Sequence, residues 1–268
     1  MSEVREMLKR LARAWGWAVG QFGGAMLLVM AGLAWTRLPD KHGWQAALTL
    51  VVPLLLVLSM LELQAATMRA LAVDDGRRVK MLWGALTLLV WAAVFWVAWA
   101  VLDWCDAQIP QWAGYLNSRF SSHARSRVFT YVHLVQWMTY AEWFLRWVVV
   151  PGKLIVCAVA SAQWGWRLPW RRLIRLLLNW RWWLAVVMAA SAGVMLPSHF
   201  FAGLPNGTVS HQVWAVMLKL AGAYVLGMGC WVLLLAWAAV LLDRTERPAP
   251  AISALPLPEA AGDAGGHA

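Results

Sequence analysis

Along this chain the apolar residues run in blocks too long for strands and too uniform for amphipathic helices. The clearest is Met81–Leu102, with no charged residue between Lys80 and Asp103. A helix of about 20 apolar residues matches a hydrocarbon core roughly 30 Å thick. Five more such blocks follow the same pattern. Together they predict an all-α integral membrane protein with six transmembrane helices, over 16–35, 44–63, 82–102, 143–165, 180–200 and 213–241.

Between the blocks the period changes. Val4, Met7, Leu8 and Leu11 recur at helical spacing with Arg5, Lys9 and Arg10 among them. Leu173, Ile174 and Leu177 repeat this beside Arg171, Arg172 and Arg175. Such segments predict short helices lying on an anionic inner leaflet. In the segment 103–130, Trp112, Tyr115, Leu116 and Phe120 predict another on the outer leaflet. From Thr245 onward the chain is rich in Pro, Ala and Gly and lacks an apolar pattern, which predicts a disordered tail. The organisation expected is a cytoplasmic amphipathic segment 1–14, a membrane domain 15–244 and a cytoplasmic tail 245–268.

The odd-numbered spans close alike, at Trp35-Thr-Arg-Leu-Pro39, Trp104-Cys-Asp-Ala-Gln-Ile-Pro110 and His199-Phe-Phe-Ala-Gly-Leu-Pro205. The even-numbered spans share a break at Pro53, at Pro151-Gly152 and at Ala221-Gly222. This spacing suggests three helical-hairpin repeats about an axis along the membrane normal.

Composition agrees with the membrane reading: 62% of residues are hydrophobic and 13% charged, against about half and a quarter in soluble domains. The 22 Trp suit membrane interfaces. The net charge of +10 first suggests nucleic acid. Its distribution excludes that reading. With the N-terminus inside, 15 Lys and Arg fall in inner segments and 5 in outer ones, which predicts both termini in the cytoplasm. Arg5, Lys9, Arg10 and Arg13 before an apolar run resemble a secretory signal, but five further runs favour an uncleaved first span. Arginine outnumbers lysine 18 to 5, and with abundant Ala this points to a bacterial inner membrane. Cys105, Cys157 and Cys230 are isolated, so neither a metal site nor a disulfide framework is legible.

Three charges interrupt the fourth block: Glu142, Arg146 and Lys153. At about 100° per residue they share one helical stripe, and Glu142 and Arg146 form an i, i+4 pair. A span beginning at Trp143 puts Lys153 about 15 Å deep, where a lysine is expensive and faces protein or water. Lys219 is a second such cation, in the sixth block. Glu142, Arg146, Lys153 and Lys219 form a candidate intramembrane polar site, cationic in balance and suited to an anionic ligand or lipid headgroup. Snorkelling of the long side chains is the simpler alternative. Gly16, Gly20 and Gly24 form a small-residue ridge, and Ala189 and Gly193 form another; both predict close helix packing inside the molecule.

No catalytic or nucleotide-binding motif and no cofactor signature is present. The function expected is therefore binding or scaffolding within the membrane, without enzymatic activity. Its partners would be the bilayer, anionic headgroups at the inner face, and a membrane protein or second copy. A small permease for an anionic or lipid-like substrate, with its site near Lys153, is the alternative.

Overall fold

A computed structural model describes residues 2–37, 42–72, 81–120, 129–201 and 208–244. The expected tail 245–268, the helix closings at Pro39 and Pro205 and the stretch 121–127 lie outside these residues. Among the described residues there is no strand. In chain order the helices are α1 (Ser2–Arg13), α2 (Trp15–Trp35), α3 (Gly43–Ala70), α4 (Met81–Arg119), α5 (Tyr131–Phe144), α6 (Val150–Trp164), α7 (Trp170–Leu177), α8 (Trp180–Ala190), α9 (Leu196–Phe201) and α10 (Val209–Arg244). A π-turn, Leu145–Val149, joins α5 to α6, and another, Ser191–Met195, joins α8 to α9. Six helical stretches are long and apolar enough to cross a membrane, as the block pattern predicts.

The third and fourth spans differ from expectation. The segment 103–130 is not a loop bearing a separate surface helix. α4 runs unbroken through Pro110 to Arg119, and α5 already begins at Tyr131. Ile109 and Ala113 on α4 are buried, as is Leu134 on α5, so the two helices pack as a hairpin. At 1.5 Å per residue α4 is about 58 Å long, well beyond a hydrocarbon core of roughly 30 Å. Thr130 is the N-cap of α5, its hydroxyl accepting from the His133 amide at 3.4 Å.

Both π-turns precede a proline. Pro151 and Pro197 have no N–H to give, and ahead of each the ladder opens by one residue. Val150 N–H reaches back to Leu145 O and Leu196 N–H to Ser191 O, five residues each. Pro53 and Pro110 lie in helices with no such turn, and α10 passes through Ala221-Gly222 without a break. The π-turns thus occupy consecutive spans, not the alternate spans that the hairpin repeat predicts.

Burial is concentrated at one end of the bundle, called proximal here because α1 lies on it. Its core joins Ala65 and Met68 of α3, Leu71 at the end of that helix, and Ile155, Val156, Val159 and Ala160 of α6. Leu173 and Leu176 of α7, Trp182 of α8 and the stretch 234–242 of α10 complete it. Towards the distal end the spans expose Leu27, Leu33, Leu54, Trp96 and Leu218, as helices surrounded by lipid tails do. The proximal ends are tied by side chains. Arg69 Nε donates to Ala162 O at 3.1 Å, satisfying a carbonyl near the end of α6. Gly84 makes room for that arginine, since a Cβ there would lie 2.6 Å from its guanidinium.

α1 lies across this end. Arg10 is buried, pairing with Glu6 and with Asp243 at the end of α10. Glu3 accepts from Arg181 and Arg244, and Arg13 donates to Ala72 O. Met7 and Leu11 pack on the core, while Val4 and Leu8 stay exposed. α7 is less surface-bound than its pattern suggests. Leu173 and Leu176 are buried against α6, α8 and α10, and Ile174 faces outward.

The glycine ridges part company. A Cβ on Gly193 would meet Cys230 and Gly227 of α10, so this glycine packs internally as expected. Of the ridge on α2 only Gly24 is packed, against Leu63; Gly16 and Gly20 face open space.

Candidate functional site

Above the proximal core, α3, α4, α6, α8 and α10 diverge and leave a slot of about 520 Å³. Leu61 and Met68 of α3, Leu88, Trp91, Phe95 and Trp99 of α4, Trp147, Ile155 and Ala158 of the fourth span, and Trp231 of α10 line it. Among the described residues no charged side chain does. Two of its indoles are tied back into the protein: Trp231 Nε1 donates to Gln64 Oε1 at 3.0 Å, and Trp91 Nε1 to Ser161 Oγ at 2.6 Å. Ala92 and Phe95 line the slot and are also exposed, so it is not sealed. From Leu88 to Trp99 it follows α4 for about 16 Å, half of a roughly 30 Å hydrocarbon core.

Charges gather at its distal rim. Arg146 Nε donates to Glu142, as the i, i+4 spacing predicts, and its NH1 donates to Asp103 Oδ1 at 2.6 Å. The guanidinium also sits 5.0 Å from the centre of the Trp99 ring. Trp99 in turn meets Trp147 edge-on at 5.1 Å. A second hollow, about 410 Å³, adjoins this rim between Phe95, Trp96, Trp99, Ala100 and Asp103.

The four sequence candidates do not converge on the slot. Glu142 and Arg146 stand together at its rim. Lys153 is exposed on the outside of α6, contrary to an inward-facing lysine, and Lys219 is half-buried on α10; neither lines the slot. Two features move Lys153. The fourth span begins twelve residues before Trp143, so its depth is not set by Trp143. Trp182, two residues into the fifth span, instead donates its indole N–H to Gly152 O at 3.1 Å, placing Lys153 near the proximal start of that span. The π-turn between Arg146 and Lys153 holds one extra residue, which turns everything beyond it by roughly 100° off the shared stripe.

Asp103 and the slot-lining tryptophans were not among the sequence candidates. A signal existed: Trp91 and Trp231 lie mid-block, whereas tryptophan favours block ends. No family model, curated protein or solved structure matches the chain. The fold and site define a class without that help: a helical multi-pass membrane protein with six candidate spans and an apolar lateral slot.

Proposed function

We propose that this chain is a non-enzymatic protein of a bacterial cytoplasmic membrane, with both termini in the cytoplasm, that binds one hydrocarbon chain of an amphiphile in its slot. The slot carries the reading. It is apolar, half a bilayer long and open to the outside, and the indole N–H groups of Trp91 and Trp231 are already paired. A hydrocarbon chain matches this lining, whereas an ion or sugar would lose hydration without replacement. The permease alternative keeps support only in its lipid-like form, because no charged residue among those described lines the slot. Exposed Arg5, Lys9 and Arg13 suit α1 to contact with anionic headgroups. The three-hairpin repeat has no further support.

The test is occupancy. Protein purified in nanodiscs should carry a co-purifying lipid in native mass spectrometry. Ala158→Trp, which fills the slot from α6, should remove it while circular dichroism stays helical. Equal lipid retention by the wild type and Ala158→Trp would count against the slot as the binding site.

A further inference from the structure

The distal hollow has the chemistry of an ammonium site. Three of its walls are aromatic: Phe95, Trp96 and Trp99. Its one charged wall residue is Asp103, whose side chain remains 59% exposed while one oxygen holds Arg146. Aromatic faces beside a carboxylate form the surroundings in which organic ammonium groups bind, the ring faces attracting the cation without forming hydrogen bonds to it. The wider charge balance points the same way. Asp106 lies one turn beyond Asp103 on the same face of α4, and Glu142 stands opposite. Arg146 alone offsets these three carboxylates; Arg119, the other described cation on this hairpin, is about 24 Å further along α4. An anionic headgroup would be repelled here.

The hollow and the slot share Phe95 and Trp99 as walls. Asp103 is one helical turn beyond Trp99, where the slot ends. We infer that the two hollows bind a single phospholipid, its acyl chain in the slot and its ammonium headgroup against Trp96, Trp99 and Asp103. Phosphatidylethanolamine and phosphatidylcholine fit; phosphatidylglycerol, with a net negative head and no ammonium, does not. This inference rests on the slot reading and adds the headgroup to it.

The experiment uses full-length protein in nanodiscs of phosphatidylethanolamine and phosphatidylglycerol in equal amounts. One lipid at a time carries a photoactivatable diazirine in its acyl chain. Labelling of the peptide spanning 147–158 is read by mass spectrometry. In the wild type, phosphatidylethanolamine should label it roughly three- to tenfold more than phosphatidylglycerol, the range expected of one cation–aromatic site. Asp103→Asn keeps an oxygen for Arg146 and should erase the preference, bringing phosphatidylethanolamine labelling down towards that of phosphatidylglycerol. Trp96→Ala, at a ring 72% exposed and so outside the packed core, should weaken it. Equal labelling by both lipids in the wild type, or a preference that survives Asp103→Asn, overturns the headgroup inference and leaves the slot intact. Labelling by neither lipid overturns the slot reading, and this inference with it.

Discussion

Gly152 shows how much one missing methyl matters in this bundle. A Cβ there would lie 2.8 Å from the Trp183 ring and 3.3 Å from Val186, between two helices already in contact. Gly152→Val should therefore wedge α6 from α8 and lower stability by about 1–3 kcal/mol, the range for overpacking a filled site. Gly20→Ala is the control. Nothing lies within 4 Å of the added carbon, so the change should be neutral or slightly stabilising. Thermal unfolding in one detergent checks both; equal losses at the two positions would refute the packing contrast. Trp182→Phe tests the same contact from the other side. It removes the indole donor, while Gly152 O keeps its place in the α6 ladder, and should cost about 0.5–1.5 kcal/mol. At this scale the sequence was only partly legible. The Glu142–Arg146 pair follows from spacing alone, because both residues lie within one α-helical turn. Lys153 does not, because periodicity assumes a uniform helix, and a π-turn interrupts this one ahead of Pro151.

Among the elements, α1 depends most on charge. Its hold on the bundle runs through Arg10 to Asp243 and through Glu3 to Arg181 and Arg244. Arg10 is almost wholly enclosed, so Asp243→Ala leaves a buried guanidinium with only the half-exposed Glu6. The expected loss is about 3 kcal/mol, the lower end for breaking a buried pair. Arg10→Met combined with Asp243→Leu removes both charges and should recover most of it. A double-mutant cycle by thermal unfolding decides this; no recovery in the double variant would show that packing of α1, not charge, is what the single change damages. The amphipathic pattern of α1 revealed a helix but not its docked side. Its buried face carries Arg10 between Met7 and Leu11, and a pairing across 233 residues leaves no local trace. The α4–α5 hairpin was missed for another reason. Hydropathy marks where lipid contact ends, not where a helix ends, and Asp103 and Asp106 lower the average while α4 continues.

For the whole molecule, the proposed six-span threading predicts that residues 75 and 115 face opposite sides of the membrane. Alkaline phosphatase fused at 115 should be active and at 75 inactive, with green fluorescent protein giving the reverse; the same side for both would break the six-span threading. The block pattern was enough for six helices long and apolar enough to cross, because a run of about twenty apolar residues is what a hydrocarbon core requires. It did not show where they hold together, since lipid-facing and protein-facing apolar residues read alike. That asymmetry of burial has a mechanical consequence. The bundle resembles a fan gripped at its handle, with ribs that spread into the bilayer. Admitting a guest between the ribs exchanges contacts with lipid tails for contacts with the guest, while the handle stays closed. The rate at which a bound chain leaves should then follow the lateral pressure of the surrounding bilayer, slowing in thicker, more tightly packed membranes.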